Sequence, residues 1–143
     1  MIAASGSAIT SIAIVLSAIG IEARNDRAAR AAHNAAALGA PDLQIVQGHA
    51  PEALAGLARP DAVFVGGGMM DDGVFEAVWA ALKPRGRLVA NAVSLETEAR
   101  LADYFGRFGG ELIRLQVARA DKVGTMSGWR PAMPVTQWRV RKP

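Results

Sequence analysis

The chain has 143 residues, of which 51% are hydrophobic and 20% charged, a balance that supports one packed α/β core and excludes a disordered, highly charged chain. It contains no cysteine, which excludes a disulfide framework and a thiolate zinc site; no metal site is predicted, and a reducing cytoplasm is the expected compartment. A formal net charge of +3 and a pI near 10.0 suit an acidic partner without choosing among nucleic acid, a membrane surface and a polycarboxylate small molecule.

Residues 1–21 carry no charge and approach the length of a membrane span. No Lys or Arg precedes the apolar part, as a secretory signal requires, and Ser5, Gly6, Ser7, Thr10 and Ser11 dilute it. A buried helix followed by a buried strand is the expectation, with no membrane contact. Residues 18–23 read as that strand, ending on an acid, and Asp26 is placed to cap an Ala-rich helix over 27–38 that Gly39 and Pro41 stop. A strand over 43–46 and a short helix over 51–57 follow, with Pro51 in its first turn.

Residues 61–65 form a continuous apolar run opening onto Gly66, Gly67 and Gly68, the pattern of a central parallel strand buried on both faces. A helix over 73–82, a strand over 87–93 and a helix over 95–108 continue the alternation. Residues 111–119 and 135–141 read as two further strands, an antiparallel pair at a sheet edge, joined by an irregular Gly- and Pro-containing segment. The whole predicts a single domain over 1–143: a Rossmann-like, mostly parallel sheet with helices on both faces.

In such sheets ligands bind beyond the carboxyl ends of the strands, which directs attention to Glu22, Gly48, Gly66 and Asn91. An acid after the second strand is placed to accept hydrogen bonds from nucleoside ribose hydroxyls; its bland counterpart is a surface pair with Arg24 or Arg27. Ser5-Gly6-Ser7 before an apolar helix suits either an anion-binding turn or a simple helix cap. Gly48, His49 and Ala50 form a loop able to contact an adenine ring, His49 being otherwise an ordinary surface residue, while His33 in the Ala-rich helix is structural. Gly66-Gly67-Gly68 wastes backbone entropy unless the chain passes close to something, and Met69 and Met70 suit either an apolar wall or core filling. Trp129 lies in a late segment able to cover a flat ligand, with Arg114, Arg119, Lys122 and Arg130 available to pair with carboxylates or simply with solvent.

Five stretches, 18–24, 47–52, 61–68, 88–96 and 128–138, together resemble the decarboxylating precorrin methyltransferases of cobalamin biosynthesis, a family that includes the C-terminal domain of precorrin-6Y C5,15-methyltransferases. The resemblance spans almost the whole chain. It implies a class I methyltransferase fold and S-adenosyl-L-methionine as cofactor. It also implies methyl transfer to C15 of a precorrin tetrapyrrole with loss of CO2 from the C12 acetate, carried out by a homo-oligomer, a tetramer in family members. On it, Ser5, Gly6, Ser7, Glu22, Ala23, Gly48, His49, Ala50, Gly66 and Gly67 are the expected cofactor contacts, and Asn91, Glu96, Trp129 and Arg130 the expected substrate contacts. No catalytic acid is singled out.

The family's multi-glycine loop is matched only by residues 1–7, with Ile2 and Ala4 where glycines stand, so the N-terminal strand is expected to be truncated or degenerate. That departure keeps open a second reading, a non-catalytic methyltransferase-fold fragment or partner subunit. A nucleic-acid methyltransferase is a further alternative. The absence of a basic stripe with interleaved aromatics, and Gly66-Gly67-Gly68 where a base-flipping site would need another motif, count against it.

Overall fold

The structure, a computed structural model, describes residues 17–143 and divides into two compact units, Met1–Gly48 and His49–Pro143. The predicted N-terminal helix and Ser5, Gly6 and Ser7 lie outside the described residues.

The first unit is a β-α-β unit. Strands β1 (Ile19–Glu22) and β2 (Gln44–Gln47) pair in parallel, Ile19 opposite Gln44 and Glu22 opposite Gln47. Helix α1 (Asn25–Ala37) runs between them and buries Ala28 and Ala35, seven residues and two turns apart and so on one stripe. Asp26 does not cap it. Arg24 is the extended N-cap residue, and Asp26 sits inside the first turn, where it pairs with the Arg24 guanidinium at 3.0 Å. That bond and the helix N-terminus hold the Asp26 carboxyl below its ordinary range. The C-terminus closes as predicted at Gly39, whose positive φ lets Ala40 N–H reach the Ala35 carbonyl and Gly39 N–H the Ala36 carbonyl.

The second unit is built on a four-stranded sheet in the order β3-β4-β8-β5. Strands β3 (Ala62–Val65) and β4 (Arg87–Ala92) are parallel; β8 (Val135–Arg141) runs antiparallel to β4 and to β5 (Glu111–Leu115), the outermost strand. The late antiparallel pair is therefore where the sequence places it. Helices α2 (Val74–Ala81) and α3 (Leu95–Phe108) cover one face. Beneath them lie Leu88, Ala90 and Ala92 of β4 and Thr136, Trp138 and Val140 of β8, the period-two pattern of strands with one face in a core.

Phe75 stacks on Tyr104 with ring centroids 4.0 Å apart, and Trp79, Phe108 and Trp138 complete an aromatic cluster. Burial pushes the Tyr104 phenol up, with Glu76 adding to the effect. The end of α2 is closed from a distance. Arg59 donates to the Ala81 and Leu82 carbonyls and Lys142 to that of Leu82, so two cations meet the helix's negative end.

Three local expectations change. The run at 61–65 is not buried on both faces, since Val65 is buried while Phe64 points to the other face and is 63% exposed. Residues 51–57 form only a 3-10 turn at Glu52–Leu54. The strand expected at 111–119 breaks after Leu115, and what reads as an irregular segment is a hairpin of β6 (Ala118–Val123) and β7 (Met126–Pro131) turning at Gly124, which has φ +62°. The alternation of apolar and polar residues at 118–121 was the signal. The glycines and prolines of 124–134 masked it. Among the described residues no helix is long and apolar enough to cross a membrane.

Candidate functional site

In the first unit Glu22 closes β1 and is half-buried, as is Ala23. Its carboxylate does not form the expected surface ion pair, because the Arg24 side chain turns to Asp26. Glu22 instead accepts the Arg24 backbone N–H at 2.9 Å through one oxygen, and among the described residues its second oxygen has no partner. An acid so held presents an acceptor at the carboxyl end of the strand. Gly48 sits beside it, its N–H already given to the Glu22 carbonyl at 3.2 Å.

In the second unit His49 is exposed and its carbonyl accepts the Ala53 N–H at 2.8 Å; Ala50 packs against the core. Beyond β3 the three glycines differ. A Cβ on Gly66 would press within 3.1 Å of the Phe64 ring, Gly68 has φ +84°, and Gly67 faces open space. Only Gly67 is thus without a local reason for being glycine, which marks the exposed backbone of Gly66 and Gly67 as the place where a ligand could lie close. Met69 is fully buried core, and Met70 is exposed.

At the end of β4, Asn91 is half-buried on the sheet face away from the helices, and its side-chain oxygen accepts from the Gln137 amide at 2.9 Å. Ser94 caps α3, accepting the Thr97 N–H, so α3 begins just beyond the end of β4. Glu96 is exposed in its first turn.

One turn further in stands a group that sequence reasoning did not assemble. Glu98 accepts the Thr136 hydroxyl at 2.7 Å and pairs with Arg114. Arg114 also reaches the Thr136 oxygen at 3.4 Å from Nε. Thr136, first among the causes, and Arg114 hold the Glu98 carboxyl below its ordinary range. The signal was pairing: Arg114 and Thr136 are opposite one another in β5 and β8, a relation that no spacing in the sequence reveals.

The hairpin separates two of the predicted substrate contacts. Trp129 pairs with Ala120, and its neighbour Arg130 pairs with Arg119, so the two side chains leave opposite faces of a two-stranded ribbon. A flat ligand on one face meets one of them and not the other. Arg130 is held by Asp121 at 2.9 Å, whereas Trp129 is 75% exposed. Lys122 accepts a hydrogen bond from Arg130 at its carbonyl, and its ammonium makes no ion pair among the described residues. The sheet face turned away from α2 and α3 carries a broad concavity bordered by Phe64, Arg87, Val89 and Arg139, and none of the predicted contacts among the described residues lines it.

The model of the precorrin methyltransferase domain family matches residues 4–142, across both units. A precorrin-6Y C(5,15)-methyltransferase [decarboxylating] from Sinorhizobium sp is 57% identical over 123 residues, 86% of this chain and 30% of that protein. The chain thus spans about a third of the length of the curated relatives it matches. The solved C-terminal domain of precorrin-6Y C5,15-methyltransferase from Rhodobacter capsulatus superposes with a TM-score of 0.79 at 42% identity, covering 87% of this chain and 67% of that one. A SAM-dependent O-methyltransferase from Thermotoga maritima shares the fold alone, with a TM-score of 0.60 at 16% identity over 85% of this chain and 49% of its own. With the alternating strands and helices and the glycine turn after β3, these matches establish the Rossmann-like class I methyltransferase fold, and the chain belongs to the precorrin methyltransferase domain family.

Proposed function

We propose that this chain carries out S-adenosylmethionine-dependent methylation of C15 of a precorrin, coupled to loss of CO2 from the C12 acetate. The observation that carries this reading is the match of residues 4–142 to the precorrin methyltransferase domain, the part that relatives named as decarboxylating enzymes hold in common with it.

Each unit, taken by itself, offers groups suited to the cofactor. On the first unit Glu22 offers for ribose hydroxyls a carboxylate oxygen that has no partner among the described residues, and Ala23 and Gly48 are the neighbouring proposed contacts. On the second, the exposed backbone of Gly66 and Gly67 is the proposed close approach, and His49 and Ala50 are the remaining proposed contacts. When bound, the sulfonium supplies the methyl group for an in-line displacement. The chain's own part is then to orient and to exclude water, which can account for a large share of the acceleration. For the substrate, Asn91 offers a half-buried amide whose acceptor is shared with Gln137, and the solvent-facing contacts are Glu96 and either Trp129 or Arg130, which leave opposite faces of the hairpin. Loss of CO2 leaves an electron pair that the conjugated ring can accept before a proton is added to the carbon.

The direct test is to incubate the full chain with methyl-labelled S-adenosylmethionine and precorrin-6Y. Label in the tetrapyrrole together with released CO2 is the expected result. Failure to bind S-adenosylmethionine at millimolar concentration by calorimetry would instead support the non-catalytic partner reading.

We further propose a cytoplasmic homo-oligomer, tetrameric as the resemblance implies, that engages neither nucleic acid nor membrane. The hairpin supports association: Val123, Met126 and Trp129 are all more than half exposed on a two-stranded ribbon, which is marginal alone. Light scattering on the eluting protein tests it, and a monomer at micromolar concentration refutes it.

A further inference from the structure

We propose that Arg114 is a carboxylate-recognition residue for the acidic substrate, and that Glu98 and Thr136 position its guanidinium; this rests on the polycarboxylate tetrapyrrole reading above. Arg114 lies on β5 opposite Thr136, and Thr136 in turn lies opposite Ala92, the last residue of β4. That places the guanidinium along the carboxyl edge of the sheet, where ligands meet this class of fold.

Its inner side is committed. Nη2 pairs with Glu98, and Nε and Nη2 approach the Thr136 oxygen at 3.4 and 3.5 Å. Its outer side is not: among the described residues Nη1 makes no hydrogen bond, and the side chain is 52% exposed. Nη1 keeps two N–H groups without a partner among the described residues, donors that a substrate carboxylate can meet on the exposed side.

The other arginine ion pairs of this unit are surface contacts, Arg107 with Asp103, Arg130 with Asp121 and Arg139 with Glu111, of a kind that contributes little. Glu98 differs in drawing on a third element. Its second oxygen takes the hydroxyl of Thr136, which is 4% exposed and is the one buried polar residue among the described residues. A buried hydroxyl on β8, a carboxylate on α3 and a guanidinium on β5 fix one another's direction. Glu98 neutralises much of the Arg114 charge, so the arrangement serves orientation and selectivity more than raw attraction.

The test uses the full chain and two probes, S-adenosylmethionine by calorimetry and uroporphyrin, a water-soluble porphyrin polycarboxylate, by fluorescence titration, alongside KM and kcat for precorrin-6Y. R114A is expected to weaken uroporphyrin binding and raise KM about tenfold or more, with kcat and S-adenosylmethionine affinity near wild type. R114K recovers only part, because an ammonium cannot pair with Glu98 and Thr136 through some nitrogens while holding a separate, fixed donor toward a carboxylate. E98A weakens the porphyrin several-fold alone and adds nothing in the R114A background, as expected of a residue acting through Arg114. Unchanged porphyrin affinity in R114A overturns the proposal while the substrate reading stands. Tighter binding in E98A shows Glu98 to be a competitor and overturns its positioning role. If the unaltered chain binds S-adenosylmethionine but neither uroporphyrin nor precorrin-6Y, the substrate reading fails and the proposal falls with it.

Discussion

The indole N–H of Trp138 donates to the carbonyl of Gly109 at 2.9 Å, tying the middle of β8 to the residue that ends α3. Trp138 is wholly buried among Leu112, Tyr104 and Phe108, so its polar atom has a partner only because the helix stops where it does. Trp138→Phe, which keeps most of the apolar contact but removes the donor, is expected to cost about 1–3 kcal/mol. Trp138→Ala is expected to cost about 3–5 kcal/mol. Urea unfolding followed by circular dichroism measures both, and a Trp138→Phe variant as stable as the unaltered chain would show that the hydrogen bond contributes nothing beyond packing.

Gly109 and Gly110 turn the chain from α3 into β5, and they are not equivalent. Both have positive φ, +68° and +94°, but a Cβ on Gly109 meets nothing within 4 Å, whereas one on Gly110 is driven into the Arg139 carbonyl. Gly109→Ala should therefore carry only backbone strain, which at ψ −147° is that of a region kept for glycine, about 1–3 kcal/mol. Gly110→Ala adds a clash with the backbone of β8 and should be clearly worse. Unfolding midpoints of the two variants decide it; a Gly109 variant as unstable as the Gly110 variant would contradict the steric account.

How much of this was legible in the sequence follows the range of the interactions concerned. Elements set by local propensity and stop signals read well: α3 lies at Leu95–Phe108, the bounds expected, closed by Gly109, and α1 ends at Gly39. What failed depended on partners far along the chain. Whether Phe64 is covered is decided by what packs on that sheet face, not by the apolar run it belongs to. The β6–β7 hairpin was hidden by Gly128 and Pro131, residues that signal a loop but sit within or at the end of a strand. At the candidate site the strand-end residues Glu22, Gly66 and Asn91 fall where a parallel sheet puts them. The Glu98, Thr136 and Arg114 group needed the β5–β8 register, which joins positions 22 residues apart.

Glu22 offers a direct probe of the first unit. Glu22→Gln preserves an acceptor for the Arg24 N–H but weakens acceptance from two ribose hydroxyls, since a charged acceptor makes roughly twice as strong a bond. The expected outcome is about tenfold weaker S-adenosylmethionine binding with an unfolding midpoint close to that of the unaltered chain. Calorimetry reads the first and thermal denaturation the second. Unchanged cofactor affinity would remove Glu22 from the cofactor contacts.

Glu98 makes stability depend on pH in a direction that can be worked out. Its folded carboxyl is held below the ordinary range by the Thr136 hydroxyl and Arg114, while in the unfolded chain it titrates near the usual glutamate value of about 4.3. Through the interval between those values the unfolded state binds the proton that the folded state refuses, so stability rises with pH there. The stabilisation is fully present above the unfolded value and is lost as pH falls through the depressed folded one. Comparing the chain with its E98Q variant isolates this group, since glutamine does not titrate. The stability difference between the two should be level above about pH 5 and shrink steadily below about pH 4. Urea titrations at a series of pH values measure it. A difference that stays constant down to about pH 3 would mean that Glu98 carries no proton-linked stabilisation, and that the network with Arg114 and Thr136 does not hold in solution.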